Sequence, residues 1–319
     1  MNKNLKRNII ALLIITIIVS FLFVFIFKDD EELNEEVVHQ YYEYNNKQYK
    51  QNDDLQLILF AGLDSYDNNI VDSYRNDELS DCLVLLVLNK NDKTILPIQI
   101  NRDTMCEYYI LGIGGRITGT SFGQIALPHS YGTGNLDSLV NTKDAVEMLL
   151  NDIDIDCYLS LPMNAVSIIN DNAGGVEVYV EDDFSSIDET LVQGEKVLLL
   201  GEHSLTFVRS RQGLDDSSNI ARLNRQRVYL RALFEKCKYL VNSDSSFVSE
   251  CLNSVNDYLI SNTNIYGLSD LCNTLLEYEL LDAVQLKGEA KKGETYIEYY
   301  LDEDYLNDFC LNTFYQEIR

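Results

Sequence analysis

Positive charge is scarce in this sequence. Of 319 residues only 25 are lysine or arginine, against 51 aspartates and glutamates, so the formal net charge is −26 at pH 7. Proteins that bind nucleic acid present basic faces to the phosphates, and the acidic balance excludes that class while leaving room for a local basic pocket. Prolines number only three and 46% of residues are hydrophobic. The chain can therefore bury one sizeable core, with or without a small appendage.

No two of the seven cysteines are spaced as C-x-x-C. The lack of that spacing gives a zinc site or a thioredoxin-type redox site little support. Cys82 and Cys157 stand in apolar surroundings and are predicted to be buried free thiols. Disulfides are permitted outside a membrane, so pairing stays open among the last four cysteines. These four are Cys237, Cys251, Cys272 and Cys310.

One apolar run is long enough to cross a membrane. Residues 9–27 carry no charge, and about 20 apolar residues span a hydrocarbon core of ~30 Å. The flank before the run is basic and the flank after it is acidic, which predicts a single-pass protein of the cell membrane with a cytoplasmic N-terminus and an extracellular C-terminal domain. A cleaved signal peptide is the alternative, but the run exceeds a typical signal-peptide core and no small-x-small cleavage site follows.

Apolar periodicity begins after a polar, acidic stretch. Near-continuous apolar runs at 55–64, 82–89 and 94–101 indicate strands buried on both faces. Residues 141–153 and 162–175 have the 3.6-residue period of amphipathic helices, and strand character returns at 176–180 and 204–211. This interleaving predicts an α/β fold, a three-layer α-β-α domain with a mixed central sheet. Helices and a strand pair after Cys237 predict a small α+β C-terminal extension.

The predicted organisation has five parts. They are a cytoplasmic basic tail (1–8), a transmembrane helix (9–27), an acidic stalk (28–54), a main domain (55–236) and a C-terminal extension packed on it (237–319).

Six of the eleven arginines fall between residues 209 and 231. Arg209 and Arg211 are two apart in a predicted strand, so both should point to the same side. Arg222, Arg225 and Gln226 share a face near the start of a predicted helix, whose free N–H groups also favour an anion. Guanidinium groups match phosphate oxygens in bidentate geometry, which predicts an anion pocket. Arg227 and Arg231 are better interpreted as surface residues that pair with acids.

Two aspartates lie at the ends of neighbouring predicted strands. Asp64 ends the first strand and Asp81 begins the second. An aspartate at a strand end is usually a turn former. Next to an arginine cluster, however, two carboxylates suit Mg²⁺, which takes a few carboxylates together with phosphate oxygens and water.

Five short motifs follow one another along the chain. They are LILFAGLDS, LSDCLVLLVLN, ILPIQINRDTM, INDNAGGVEVYV and GEHSLTFVRSR…ARLNRQ. Together, behind an N-terminal apolar run, they resemble the LytR–CpsA–Psr family of cell-envelope proteins over residues 55–236. The resemblance implies a membrane-anchored phosphotransferase. Such an enzyme moves a glycopolymer from a polyprenyl-pyrophosphate carrier onto peptidoglycan and forms a phosphodiester.

The resemblance also implies a site in the main domain. Mg²⁺ is the expected cofactor, with Asp64 and Asp81 as its ligands, and Arg102 and Asp103 complete the catalytic set. Asp103 either orients the acceptor hydroxyl or fixes Arg102. The implied pyrophosphate-binding residues are Arg102, Arg209, Arg211, Arg222, Arg225 and Gln226. Expected partners are a lipid-linked glycan, the peptidoglycan acceptor and the membrane, and apolar residues in 136–169 and 223–234 are candidates to line a tunnel for the prenyl chain.

The chain departs from the family pattern at three positions. Leu79 and Gln124 stand where the family commonly has an arginine and a lysine, and Asn219 stands where it has an acid. Fewer cations neutralise phosphate less well, which predicts a slower enzyme than a full-pattern relative. Two other functions stay open, a non-catalytic binder or sensor of lipid-linked carriers and a polyprenyl-pyrophosphate hydrolase. A transcription regulator fits poorly with an external acidic domain.

Overall fold

A computed structural model describes residues 42–44, 47–64, 75–211, 213–214, 216 and 218–318. The predicted basic tail, the predicted transmembrane helix and residues 28–41 of the predicted stalk lie outside this described part. Among the described residues, none of the helices combines the length and the apolar composition that crossing a bilayer requires.

Seven strands precede the first α-helix of the described chain, and helices and strands interleave after it. The strands are β1 (Tyr42–Tyr44), β2 (Lys47–Gln51), β3 (Leu55–Leu63), β4 (Ser80–Asn89), β5 (Thr94–Ile100), β6 (Met105–Leu111), β7 (Ile117–Gln124), β8 (Cys157–Pro162), β9 (Val176–Tyr179), β10 (Lys196–Leu199), β11 (Ile260–Ser261), β12 (Glu279–Leu280), β13 (Val284–Gln285), β14 (Gly288–Lys292), β15 (Ile297–Leu301) and β16 (Tyr315–Glu317). The helices are α1 (Leu136–Leu149), α2 (Ala165–Asn172), α3 (Glu202–Arg209), α4 (Asn219–Ser243), α5 (Phe247–Val255), α6 (Ile265–Glu277) and α7 (Glu303–Phe314).

The central sheet is mixed, as predicted. Its strand order is β11-β8-β3-β4-β5-β12, and β13 also pairs with β5. β4 runs antiparallel to both β3 and β5, whereas β8 is parallel to β3. The three apolar runs read from the sequence are the central strands β3, β4 and β5; most of their residues are buried and none is exposed.

Alternate residues of β3 face two different helical layers. Leu57 and Leu59 pack in one core cluster with Leu139 of α1 and Phe314 of α7. Ile58 packs on the other side of the sheet in a cluster formed by α4, α5 and α6. Because side chains alternate along a strand, burial on both faces requires a layer of helices on each. The three-layer prediction is confirmed.

The strand predicted at 204–211 is wrong, because residues 202–209 form α3. Ser204, Phe207 and Val208 are its buried residues, and this spacing of three and four is the helical period. Arg209 is the last residue of α3, and Ser210 after it is extended. Because residues 202–209 are helical, Arg209 and Arg211 do not share one side of a strand, and that inference is also wrong.

The C-terminal extension completes the central sheet of the main domain. β11 pairs with β8, and β12 and β13 pair with β5. The predicted boundary at 236/237 lies inside α4, which is continuous. β1 and β2 lie in the region predicted as a stalk, yet they form a three-stranded sheet with β16 from the other end of the chain. Folded structure therefore begins earlier than the acidic composition indicated.

All seven cysteines are free, and Cys82 and Cys157 are buried as predicted. Burial raises the pKa of Cys82 and of Cys272 to about 12. At pH 8 almost no thiolate is present at these positions, so we expect native protein to react slowly with Ellman's reagent and unfolded protein to release seven equivalents. Five or fewer equivalents without reductant would contradict the free-thiol assignment.

Candidate active site

Asp81 lies at an irregularity between the two central strands. Gly62 pairs with Cys82 but Leu63 pairs with Ser80, so Asp81 is the extra residue of a bulge in β4. Bulges commonly re-aim a side chain at the edge of a site. A Cβ at Gly62 would lie 3.0 Å from that of Cys82, so this crossing needs a residue without a side chain. The bulge thus sets the direction of a nearly buried carboxylate.

Two arginines converge on the Asp81 carboxylate. Arg102, two residues after the end of β5, pairs with Oδ1 of Asp81. Arg222 of α4 pairs with Oδ2 at 2.9 Å and also donates to the backbone oxygen of Asp81 at 3.2 Å. Arg222 is only 1% exposed, so its charge depends on this pair. Asp81 therefore holds two guanidinium groups side by side where the sheet meets α4.

Asp103 is held from several directions. Gln124 donates to Oδ1 of Asp103 at 3.0 Å, and Nε of Arg102 lies 3.7 Å from the same oxygen. The backbone N–H of Asp103 donates to the side chain of Asn101. Burial raises the pKa of Asp103, while Arg102, Arg222 and Arg211 oppose that shift. The carboxylate is thus fixed beside Arg102, which supports the fixing role without removing its capacity to accept a proton.

Of the other predicted arginines, one lies near this cluster and another has no contact with it among the described residues. Arg211 is exposed, and its charge lowers the pKa of both Asp103 and Arg222, so it lies within electrostatic reach of them. Arg209 is exposed at the end of α3 and forms no ion pair with another described residue. Arg102, Arg211 and Arg222 therefore share one site, which we name the arginine site, and Arg209 is not joined to it by any contact between described residues.

Arg225 is occupied by structural partners. Its guanidinium donates to the backbone oxygens of Phe207 and Ser210 and pairs with Asp182 at 2.5 Å. These contacts tie α4 to the end of α3, so Arg225 positions the segment that carries Arg211. Gln226 lies one turn beyond Arg222 and donates to Val208 at 3.4 Å. Ser218 caps α4 by accepting from the N–H of Ala221.

Several buried polar atoms at this place have no hydrogen-bond partner among the described residues. They are Nε of Arg102, Nε of Arg222, Oδ1 of Asn219 and Oε1 of Gln226. Buried polar groups are usually satisfied, and an exception needs an explanation. The two guanidinium Nε–H groups lack acceptor oxygens at hydrogen-bond distance among the described residues, and an anion beside Arg102 and Arg222 would supply them.

Two apolar cavities lie between the sheet and the helices, and the first comes close to the arginine site through Cys82, next to Asp81, and Gln226, one turn after Arg222. The first, of about 180 Å³, is lined by Gly62, Cys82 and Gln226 at one end. The second, of about 350 Å³, lies under α4, α5 and α6. The two cavities adjoin, because they share four lining residues. These are Phe60, Ile169, Leu230 and Leu233. Of the ranges predicted to line a tunnel, 223–234 and the part of 136–169 from Leu161 onward contribute, whereas α1 packs on the opposite face of the sheet.

The predicted metal ligands come from neighbouring strand ends. The N–H of Asp64 donates to the oxygen of Leu79, and Oδ1 of Asp64 accepts from the N–H of Leu79 at 3.0 Å. Leu79 is two residues from Asp81, so the two aspartates are close along paired backbones. Within the described residues no group of three or more metal-binding side chains occurs. The donor set fits an ion held by two carboxylates and completed by phosphate oxygens and water.

Sequence reasoning missed the hairpin β14–β15 as part of this site. The N–H of Tyr299 donates to the oxygen of Asp103 at 2.8 Å, and Gln124 donates to the oxygen of Ile297 at 2.8 Å. The strand pair itself was predicted, but nothing in its sequence indicates its neighbour. The hairpin therefore packs against the site on the side where Asp103 lies.

Fold and geometry define an α/β protein in which two arginines converge on a buried carboxylate near an apolar cavity. The model of the LytR_cpsA_psr family matches residues 23–313. The chain belongs to this family, which confirms the resemblance read from the sequence.

Two curated relatives carry the same name, polyisoprenyl-teichoic acid–peptidoglycan teichoic acid transferase TagU. The chain is 30% identical over 179 residues to that of Halalkalibacterium halodurans, covering 56% of this chain and about half, 52%, of the relative. It is 26% identical over 244 residues to that of Bacillus cereus, covering 76% of this chain and 72% of the relative.

Solved structures show the same fold. TagV of Bacillus subtilis superposes with a TM-score of 0.63 at 22% identity, over 82% of this chain and 96% of that chain. A structure of TagT bound to LIIa-WTA gives a TM-score of 0.62 at 23% identity, over 82% of this chain and 90% of that chain.

Proposed function

We propose that this protein transfers a glycopolymer from a polyprenyl-pyrophosphate carrier onto peptidoglycan. The observation that carries the proposal is the pair of buried guanidinium Nε–H groups of Arg102 and Arg222 without a hydrogen-bond partner among the described residues, close in the fold to an apolar cavity that Cys82 and Gln226 line. A pyrophosphate supplies the missing acceptors, and a prenyl chain fits the apolar lining. The names of the TagU relatives support the same reaction.

The residues of the arginine site would stabilise charge rather than form covalent bonds. Phosphoryl transfer depends mainly on positioning and on neutralising the phosphate oxygens. The acceptor hydroxyl oxygen bonds to the phosphorus next to the sugar, and the bond from that phosphorus to the bridging oxygen breaks. Lipid monophosphate leaves, and the hydroxyl proton is lost. We expect Asp103, next to Arg102, to orient that hydroxyl or to receive its proton.

Mg²⁺ belongs to this proposal as a cofactor that Asp64 and Asp81 would hold. When bound, it would supply further neutralisation of phosphate charge. Because both oxygens of Asp81 already pair with arginines, the protein alone offers few free donors. We therefore expect the ion to bind together with the pyrophosphate.

We also propose that the described domain lies outside the cell, anchored by residues 9–27. The charge asymmetry of the flanks supports this orientation. A protease added to spheroplasts should then remove the domain, with a cytoplasmic protein staying intact as the control. Protection of residues 60–319 until the membrane is dissolved would contradict the orientation.

The transfer reaction is tested with purified full-length chain, a lipid-linked glycan and a peptidoglycan acceptor. Release of lipid phosphate that requires the acceptor supports transfer, whereas acceptor-independent release indicates a hydrolase. Lipid binding with no release of either kind indicates the non-catalytic binder.

Leu79→Arg is expected to raise the transfer rate about tenfold. The substitution restores one cation next to Asp64, and a charged hydrogen bond is worth about 1.5–3 kcal/mol, the low end of which corresponds to about tenfold. The rate should be compared with that of Leu79→Met, which adds length without charge. Equal rates for the two variants would show that this position does not touch the phosphates.

A further inference from the structure

A second groove lies outside the arginine site and is lined by tyrosines and polar side chains. It measures about 500 Å³, within the ~300–1,000 Å³ range of small-molecule sites. Residues of β1, β2, β16 and α7 line it. The polar and aromatic lining includes Tyr44, Lys47, Tyr49, Asp308, Asn312 and Glu317.

Strand register gathers the tyrosines on one face of the small sheet. Tyr42 pairs with Tyr49, and Tyr44 pairs with Lys47. Glu317 of β16 pairs with Tyr49 as well. Because side chains two residues apart point to the same side of a strand, all five side chains share that face.

The tyrosines of this face differ in what their hydroxyl groups do. The hydroxyl of Tyr42 contacts Asn307 and Asn151, and that of Tyr315 donates to the oxygen of Asn151 at 2.6 Å. These two rings are therefore fixed to the rest of the fold. Tyr44 and Tyr49 make no hydrogen bond from their hydroxyls to another described residue, although the ring of Tyr44 stacks on that of Tyr42. Both are available to a ligand.

The charge and the polarity of the groove's lining exclude two ligand classes. Lys47 pairs with Glu317 at 2.8 Å, and the exposed Asp308 adds one negative charge, so the groove is weakly negative. Phosphate-rich polymers would be repelled, and a prenyl chain would find too few apolar side chains. Asn312 and the carboxylates offer planar acceptors and donors beside the tyrosine rings.

We propose that this groove binds a neutral saccharide, a short run of hexose or N-acetylated hexose rings. Aromatic side chains offer a flat apolar body with a polar tip, which suits the C–H face and the hydroxyl edge of a sugar ring. The proposal does not depend on the transfer reaction, since the groove shares no lining residue with the cavities at the arginine site.

The test is saccharide binding by full-length chain purified in a detergent that has no sugar head group. The probe is a tetramer of N-acetylglucosamine, followed by calorimetry and by saturation transfer in NMR. We expect binding by the parent protein and a loss of about five- to tenfold in affinity for Tyr44→Ala and for Tyr49→Ala. Tyr49→Phe should keep most of the affinity, because the ring stays.

Matched variants separate this site from the arginine site. Tyr266, on α6 and 81% exposed, serves as the control, and Tyr266→Ala should leave saccharide binding unchanged. Arg102→Ala should also leave it unchanged while weakening binding of a polyprenyl pyrophosphate. No binding of the tetramer at millimolar concentration, or equal binding by the parent and both alanine variants, would overturn the proposal. Tyrosine-dependent binding to lipid vesicles without tetramer binding would also overturn it, in favour of a membrane contact.

Discussion

Replacing Asp81 with alanine is expected to reduce transfer about 100-fold or more and to destabilise the protein. Asp81 is the carboxylate that aligns Arg102 and Arg222, and losing one preorganised electrostatic contact in an active site costs about that much in rate. Arg222 is only 1% exposed, and removing the partner of a buried charge costs about 3–5 kcal/mol. Transfer assays and chemical denaturation measure the two effects separately.

Two further variants make this result interpretable. Asp282→Ala removes the acid from the exposed pair between Arg231 and Asp282, and exposed pairs contribute only about 0–1 kcal/mol, so it is the matched control. Asp81→Asn keeps the shape and loses the charge, and it is measured if the alanine variant does not fold. Wild-type stability together with wild-type transfer in both Asp81 variants would contradict the assigned role.

Filling the apolar cavity is expected to weaken lipid binding strongly without affecting the arginine site. Leu230 lines both cavities, so Leu230→Trp places a large ring at their junction. Each buried CH₂ group contributes about 0.8 kcal/mol, so excluding one five-carbon isoprene unit removes about 4 kcal/mol and should weaken binding of a long polyprenyl pyrophosphate about 1,000-fold. Binding of inorganic pyrophosphate should stay within about twofold.

Leu198 supplies the control for this substitution, because it is 49% exposed and lines neither cavity. Leu198→Trp should bind the lipid as the parent does. If Leu230→Trp binds the long lipid normally while folding normally, the prenyl chain does not occupy these cavities.

The parts of the fold that the sequence predicted are those with one dominant local pattern. The central strands β3, β4 and β5 were predicted because long apolar runs are buried on both faces. α3 was missed because a helix of eight residues gives two turns of periodicity, and Phe207 and Val208 alone are ambiguous between helix and strand. The three-stranded sheet of β1, β2 and β16 joins segments from opposite ends of the described chain, so no local pattern shows it.

The site was predicted in its residues more than in its contacts. Arg102 and Arg222 were both identified, but Asp81 lies 21 and 141 positions away from them, and only the fold brings the three together. Arg222 and Arg225 are three apart on α4 and were assigned one face. Their side chains nevertheless diverge, because Arg225 finds Asp182 and two backbone oxygens. Helical spacing gives the face of a residue and not the direction of a long side chain.

The central claim is that one site binds both ends of a lipid pyrophosphate, the head group at Arg102 and Arg222 and the chain in the cavities. Its most direct test is the affinity of the full-length chain for three ligands of matched purity: a polyprenyl pyrophosphate, the corresponding polyprenol and inorganic pyrophosphate. The account predicts that the lipid pyrophosphate binds at least about 100-fold more tightly than either fragment, and that Arg102→Ala removes most of its advantage over the polyprenol. Equal affinity for the polyprenol and its pyrophosphate, or for inorganic pyrophosphate and the lipid, would contradict it.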